Sequence, residues 1–200
     1  LGAPGPGSPF VVEADEYDTS YFDRRSKFLH YRPHTLVVNN LDYDHADVFP
    51  DLAAIKQQFA WLLRTVPDDG LLVTPPADAA IEAVVARGCW TPRTSFAVAG
   101  EADWTARADG AGTRFEVLRG GVPVGEVHWG LLGSFNVANA LAAIAAAAHA
   151  GADPAGACAA LSRFRGVRRR LERIVDRPDL RVYEDFAHHP TAIAATLRAV

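Results

Sequence analysis

The sequence predicts an α/β fold in which helices flank a mostly parallel β-sheet and a small antiparallel sheet follows. Three observations predict it. Short apolar runs without polar alternation indicate strands that are covered on both faces, as in a parallel sheet. These runs alternate with segments of helical periodicity, which is typical of βαβ units. After residue 95 the pattern changes to short β-like pieces separated by turn signals, which indicates antiparallel strands.

The first half of the chain contains the βαβ pattern. Three apolar runs predict buried strands, namely residues 10–13, 35–38 and 71–74. Residues 51–66 have apolar residues at helical spacing and predict a helix, and residues 79–87 predict a second, shorter one. Residues 67–70 (PDDG) end the first helix, because proline and glycine stop helical periodicity.

The second half begins with the antiparallel region. Its predicted strands are residues 95–98, 104–108, 114–118 and 124–129, with Gly120 and Gly121 as a hairpin turn. Two predicted helices follow, residues 136–150, which are rich in alanine, and 154–164. Residues 177–179 (RPD) predict a linker, after which 181–185 predict a strand and Thr191 starts a helix.

Length, composition and charge limit the class of protein. A chain of 200 residues with 49% hydrophobic and 22% charged residues can bury a core, which excludes a disordered tail or a disulfide mini-protein. A net charge of -4 excludes general attraction to nucleic acid or an anionic membrane, so a phosphate site must be local. The apolar stretch 138–150 is too short for a bilayer and no signal peptide is visible, so we expect a cytoplasmic protein. Cys89 and Cys158 have no metal or disulfide spacing and are predicted to pack in the core.

The two ends of the chain suggest a segment of a longer protein. The sequence contains no methionine and opens at Leu1. It stops at Val200, inside the helix that starts at Thr191. We therefore expect that activity depends on residues outside this segment.

Acidic side chains follow the first two predicted strands. Residues 13–18 (EADEYD) come after the first strand, and 39–47 (NNLDYDHAD) come after the second and contain His45. Ligands bind at the carboxyl ends of parallel strands, and carboxylate oxygens suit Mg²⁺. The sequence alone leaves two possibilities open: a metal and phosphate site, or solvated acidic loops.

Polar groups in the second half offer candidates for nucleotide binding. Asn136 and Asn139 share one face at the start of the alanine-rich helix, where amides can bind a purine or phosphate. The alternative is that Ser134 or Asn136 caps this helix. The adjacent residues His188 and His189 point in different directions, so we do not expect both to bind one ion.

One basic patch stands out between residues 163 and 173. Its members are Arg163, Arg165, Arg168, Arg169, Arg170 and Arg173. Such a patch can contact a polyphosphate, or it can be a solvated face. The acidic net charge argues against RNA.

Taken together, these segments resemble the Mur ligases. The matching segments are residues 11–18, 26–28 (SKF), 31–33 (YRP), 39–47, 88–90 (GCW), 136–141, 168–172 (RRRLE) and 185–191 (DFAHHPT). Within that superfamily the DEYD and SKF segments are similar to the murein peptide ligases of peptidoglycan recycling. Those enzymes join UDP-N-acetylmuramate to the murein tripeptide L-alanyl-γ-D-glutamyl-meso-diaminopimelate.

The resemblance implies a domain organisation and an ATP-dependent reaction. It makes residues 1–176 a central ATPase domain, and 177–200 the linker, first strand and helix of a Rossmann-like C-terminal domain. The glycine-rich phosphate loop and the UDP-sugar domain are expected upstream, so we expect this segment alone to be inactive. In the implied reaction ATP phosphorylates the muramate carboxylate, and the peptide amine then attacks the acyl phosphate with Mg²⁺ as the metal.

The resemblance also implies roles for individual residues. It places Glu13 on a Mg²⁺-binding glutamate and His45 on the histidine of a second metal site. The positions implied for the nucleotide are Asn136 and Asn139 at the adenine, Arg170 at the phosphates, Asp185 at the ribose and His188 beside the nucleotide. Catalysis is assigned to Glu13, His45 and Arg170.

Two positions depart from the family pattern, and three alternatives stay open. Phe135 stands where the family has a histidine, and Phe59 where several relatives carry a carbamylated lysine. Lys56 lies nearly a turn from that position, so no carbamate is assigned. The alternatives are a UDP-N-acetylmuramate–L-alanine ligase, a non-catalytic nucleotide-binding module, and folylpolyglutamate synthetase, for which no folate site is visible. The oligomeric state is left open.

Overall fold

The computed structural model describes residues 7–19, 21–43, 48–76 and 78–200. The strands of the main sheet are β1 (Thr35–Val37), β2 (Leu71–Thr74), β3 (Arg93–Ala97), β4 (Trp104–Ala108), β5 (Arg114–Arg119) and β6 (Val122–His128). A second sheet contains β7 (Glu172–Arg177) and β8 (Leu180–Glu184). The α-helices are α1 (Leu52–Leu63), α2 (Ala79–Val85), α3 (Ser134–His149), α4 (Pro154–Leu161) and α5 (Pro190–Arg198).

The main sheet is mixed, which confirms the predicted α/β class. Its six strands lie in chain order from β1 to β6. β3 and β4 are parallel, whereas β4, β5 and β6 form antiparallel pairs. The chain divides into two compact units, a first unit of Leu1–Leu72 with Ala77–Arg93 and a second of Val73–Pro76 with Thr94–Val200. The predicted domain boundary at residue 176 stays a prediction.

The first unit packs α1, α2 and a short 3₁₀ helix (Lys27–His30) around an apolar core. Both predicted helices are confirmed. An aspartate immediately before each helix caps it: Asp51 accepts one backbone N–H of α1, and Asp78 accepts two of α2. The core includes Phe28, Leu36, Ile55, Leu62, Leu72 and Ile81, each at most 7% exposed. Fully burying such a side chain contributes roughly 1.5–3 kcal/mol, so this core is the main source of stability of the unit.

The strand predicted over residues 10–13 is absent, and this prediction was wrong. Phe10 and Val11 are 75% and 91% exposed, and the segment forms no strand. An apolar run becomes a buried strand only when a neighbouring strand pairs with its backbone and other elements cover its side chains. Neither condition is met among the described residues.

The second unit confirms the antiparallel region and the alanine-rich helix. Gly120 and Gly121 join β5 to β6 with φ values of 55° and 79°, and a two-residue hairpin turn favours glycine in this left-handed region. Helix α3 buries Val137, Leu141 and Ile144 completely or almost so. Cys158 in α4 is buried, and desolvation raises the pKa of its thiol. Cys89 is half-buried against the core of the first unit, so the predicted packing role of both cysteines is confirmed.

A hairpin occupies the position of the predicted linker. Residues 178 and 179 form the turn between β7 and β8, and Arg177 ends β7. The predicted strand 181–185 is confirmed as β8, and the helix expected from Thr191 is confirmed as α5. Strand β7 was not predicted, because its sequence ERIVDR is largely charged and exposed. No helix among the described residues has the length and hydrophobicity that a membrane span requires.

Candidate functional site

The acidic segment after residue 12 is held by the SKF segment. Lys27 Nζ lies 2.8 Å from Asp15 Oδ2, and the Lys27 amide donates to the Tyr17 carbonyl at 2.7 Å. The hydrogen bond to Asp15 raises the pKa of Lys27. Glu13 is exposed and makes no hydrogen bond or ion pair with the described residues. Its carboxylate is therefore open to a ligand.

The SKF segment is itself fixed by α1. Ser26 is buried, and its amide donates to Gln58 Oε1 at 3.1 Å. The Phe28 ring packs against Phe59 with ring centroids 5.2 Å apart. Phe59, at the position where several relatives carry a carbamylated lysine, therefore serves as a packing residue here.

A magnesium ion fits Glu13 by donor chemistry. His45, the predicted ligand of a second metal site, lies outside the described residues, as do Asp44 and Asp47. Within 7–19, 21–43, 48–76 and 78–200, no three His, Cys, Asp or Glu side chains are grouped to hold a metal ion. Mg²⁺ keeps several waters and usually takes one or two protein carboxylates besides the substrate phosphates, so one exposed carboxylate suits it.

In the second unit, the start of α3 contradicts the capping alternative. The helix is preceded by Gly133 at φ 90°, and no side chain caps it. Ser134 is already the first helical residue, which is past the position from which a side chain caps. Asn136 is half-buried and its Nδ2 donates to the Leu132 carbonyl at 2.7 Å. Asn139 is exposed one turn further along the helix.

The basic patch divides into paired and unpaired arginines. Arg169 Nε lies 2.9 Å from Glu184 Oε1, and Arg173 Nη1 lies 3.0 Å from Asp176 Oδ2. Arg163 donates to the Ala159 carbonyl at 3.1 Å. The guanidinium groups of Arg165, Arg168 and Arg170 make no hydrogen bond or ion pair in the part of the chain that the structure describes. The patch is thus neither a uniform anion site nor a uniformly solvated face.

Three predicted site residues come together around Phe186. The Arg170 guanidinium carbon lies 5.9 Å from the Phe186 ring centroid, and the His188 ring meets Phe186 edge-on at 5.3 Å. Asp185 is the residue immediately before Phe186, and its carboxylate accepts the amides of Leu171 and Ala187 at 2.6 and 2.7 Å. Phe186 was not predicted as a site residue. An aromatic residue between the aspartate and the histidines was the available signal.

The similarity to known proteins decides the family. The model of the Mur ligase middle domain matches residues 8–147.

The chain belongs to the Mur ligase family.

This confirms the resemblance inferred from the sequence. The matched range contains Glu13, Asn136 and Asn139, whereas Arg170, Asp185 and His188 lie beyond it.

Longer similarities cover nearly the whole of this Mur ligase chain. It is 48% identical over 197 residues to the UDP-N-acetylmuramate–L-alanyl-γ-D-glutamyl-meso-2,6-diaminoheptandioate ligase of Escherichia coli (strain K12), covering 98% of this chain and 43% of that protein. It is 38% identical over 200 residues to a UDP-N-acetylmuramate–L-alanine ligase of Acidothermus cellulolyticus, covering 98% of this chain and 40% of that one.

A solved structure supports the same assignment. The crystal structure of a UDP-N-acetylmuramate:L-alanyl-γ-D-glutamyl-meso-diaminopimelate ligase from Neisseria meningitides matches with a TM-score of 0.70 and 50% identity. The match covers 78% of this chain and 48% of that one. This Mur ligase chain therefore spans less than half the length of each of these three relatives.

Proposed function

We propose that this chain is part of an ATP-dependent ligase that joins UDP-N-acetylmuramate to L-alanyl-γ-D-glutamyl-meso-diaminopimelate in peptidoglycan recycling. The proposal rests on the convergence of Arg170, Asp185 and His188 around Phe186 in a Mur ligase chain. The similarity to the Escherichia coli ligase supports the choice of substrates.

The proposed reaction has two steps. An oxygen of the muramate carboxylate attacks the γ-phosphorus of ATP, and ADP leaves with the electrons of the broken P–O bond. The peptide amine then attacks the acyl carbon, inorganic phosphate leaves, and the amine loses its proton to form the amide. Phosphorylation is needed because a free carboxylate is a poor electrophile, whereas phosphate is a good leaving group. In both steps the protein must stabilise negative charge on phosphoryl oxygens.

Individual residues have the following roles in the proposal. Glu13 holds Mg²⁺, and His45 contributes to a second metal site. When bound, the metal offsets the negative charge of the phosphates. Arg170 contacts the phosphates with a guanidinium that no carboxylate among the described residues occupies. Asn136 and Asn139 bind the adenine, and His188 lies beside the nucleotide.

The Asp185 carboxylate keeps unused acceptor positions for the ribose contact assigned to it. Its two oxygens accept one backbone amide each. An ionised carboxylate has about four acceptor positions, so it can accept a ribose hydroxyl in addition. Asp185 therefore combines a structural contact with the proposed contact to ATP.

Phosphate release by the full-length enzyme tests the proposal. With UDP-N-acetylmuramate and Mg-ATP, the tripeptide should start phosphate release and L-alanine should not. Phosphate release with L-alanine but not with the tripeptide would favour the L-alanine ligase alternative. The similarity to the Acidothermus enzyme is the reason to test it. Absence of release with either amine would favour the non-catalytic module.

A further inference from the structure

The turn that presents Arg170 has an unusual backbone. Arg169 and Leu171, on either side of Arg170, have φ values of 59° and 50°. Residues other than glycine rarely adopt this left-handed backbone conformation, because their Cβ approaches the following carbonyl oxygen. Two such residues in one turn persist only when surrounding contacts hold them there.

Carboxylates hold the two amides that flank Arg170. The Arg169 amide donates to Glu172 Oε2 at 2.8 Å, and the Leu171 amide donates to Asp185 Oδ2 at 2.6 Å. The Arg169 carbonyl in turn accepts the Phe186 amide at 2.8 Å. Hydrogen bonds to ionised acceptors are stronger than neutral ones, so these contacts can offset the backbone strain.

The β7–β8 hairpin supplies the acceptors by its register. Glu172 lies directly opposite Glu184 across the two strands. Two like charges in that position repel each other unless a cation or donor lies between them. Arg169 fills this place, because Glu172 accepts its amide and Glu184 Oε1 lies 2.9 Å from its Nε.

The two neighbouring arginines therefore differ. The Arg169 guanidinium is held by Glu184 and lies 5.1 Å from the Phe186 ring centroid. The Arg170 guanidinium has no ionic partner among the described residues. Holding Arg169 leaves the Arg170 guanidinium, between the two left-handed residues, available to a ligand.

We propose that Glu172 and Glu184 are positioning residues for Arg170. Together with Arg169 they hold the left-handed turn, so that the Arg170 guanidinium is placed for the phosphates of ATP before ATP binds. This inference rests on the proposed function, since it takes the phosphate contact of Arg170 from there. It adds two carboxylates that touch neither ATP nor metal.

The test compares variants of the full-length enzyme. Glu172→Ala should lower kcat/KM for ATP by about tenfold or more. The variant loses a hydrogen bond to a charged acceptor, and a loss of this size shifts the equilibrium between the held and the released turn by about that factor. Asp176→Ala is the matched control, since it removes two ion pairs from the same hairpin without touching the turn. The Asp176→Ala variant should keep a kcat/KM for ATP within about threefold of wild type, because exposed ion pairs contribute little. Glu172→Gln retains an acceptor oxygen and should restore most of the activity.

A double-mutant cycle separates positioning from a general structural role. If Glu172 acts through Arg170, then Glu172→Ala should cause no further loss in the Arg170→Ala background. Losses that multiply in the double variant would overturn the inference and leave the proposed function intact. An Arg170→Ala variant with wild-type turnover would instead refute the phosphate role of Arg170 and the inference with it. Should Glu172→Ala not fold, Glu172→Asp keeps the charge but shortens its reach, and wild-type kcat/KM in that variant would also overturn the inference.

Discussion

Replacing Asp185 by alanine should weaken both folding and ATP use, for separable reasons. The folding effect follows from the two backbone amides that its carboxylate accepts at 2.6 and 2.7 Å. Each amide loses an acceptor in the variant. Because Asp185 is half-buried, water can partly satisfy each amide in the variant. We therefore expect the free energy of unfolding to fall by about 1–2 kcal/mol per amide. A total of about 2–4 kcal/mol should lower the Tm by roughly 4 to 16 °C, since 1 kcal/mol shifts the Tm of a chain of this size by about 2–4 °C.

The effect on ATP follows from the proposed ribose contact. A hydrogen bond to a charged acceptor contributes roughly 1.5–3 kcal/mol, which corresponds to about a ten- to hundredfold rise in the KM for ATP if the contact is equal in ground and transition states. The assay measures the KM for ATP by phosphate release, and the Tm of the same samples by thermal denaturation. Asp179→Ala is the matched control, because Asp179 is exposed in the hairpin turn and makes no hydrogen bond or ion pair with the described residues.

Two results would refute this reasoning in different ways. A variant that melts much earlier but keeps its KM for ATP would show that Asp185 is only a structural residue, and the ribose contact would be withdrawn. A variant with an unchanged Tm would show that the amides of Leu171 and Ala187 do not depend on the carboxylate. The second result would also remove one support of the left-handed turn around Arg170.

Three further predictions follow from the site and the fold. Glu13→Ala in the full-length enzyme should nearly abolish tripeptide-dependent phosphate release, because a metal ligand is lost. Activity within about threefold of wild type would contradict the role of Glu13. The control is Glu101→Ala, which removes another exposed carboxylate. The 200-residue chain alone contains no GxxGKT-type loop and should bind Mg-ATP weakly or not at all in calorimetry; a low-micromolar Kd, about -8 kcal/mol, would show that it has its own phosphate site. The Ser95 amide, together with the hydroxyls of Ser95 and Thr94, lowers the pKa of Asp103 in the folded state. The Asp103 carboxylate therefore contributes to stability above the unfolded pKa of about 3.9, and this contribution is lost as the pH falls through the lower folded pKa. The difference in Tm between wild type and Asp103→Asn should therefore shrink as the pH falls below that unfolded value, and a difference that stays constant there would contradict the assignment.

Local signals predicted most of the secondary structure correctly. Helix α1 follows from apolar residues at helical spacing, and the β5–β6 turn follows from two adjacent glycines. These features depend on residues within a few positions of one another. Residues 10–13 carry the same apolar signal as β1, yet they form no strand, because pairing depends on a distant partner that the run itself does not specify.

The chemistry of the site was partly readable from the sequence. The motifs identified Glu13, Asn139, Arg170, Asp185 and His188 as candidates through the resemblance to the Mur ligases. Their local roles required the structure, since the fold shows Glu13 exposed and Asp185 accepting two backbone amides. The capping alternative for α3 was refuted only by the position of Gly133.

The sequence by itself determined the α/β class, the family and the types of group available for ATP chemistry, because these depend on composition, local periodicity and motifs. Only the tertiary structure decided which of two adjacent arginines is left for a ligand. That choice depends on the β7–β8 register, which places Glu172 opposite Glu184 although 11 residues separate them in the chain. Strand β7 lacks the apolar run that reveals a buried strand, so neither this hairpin nor its register was predicted.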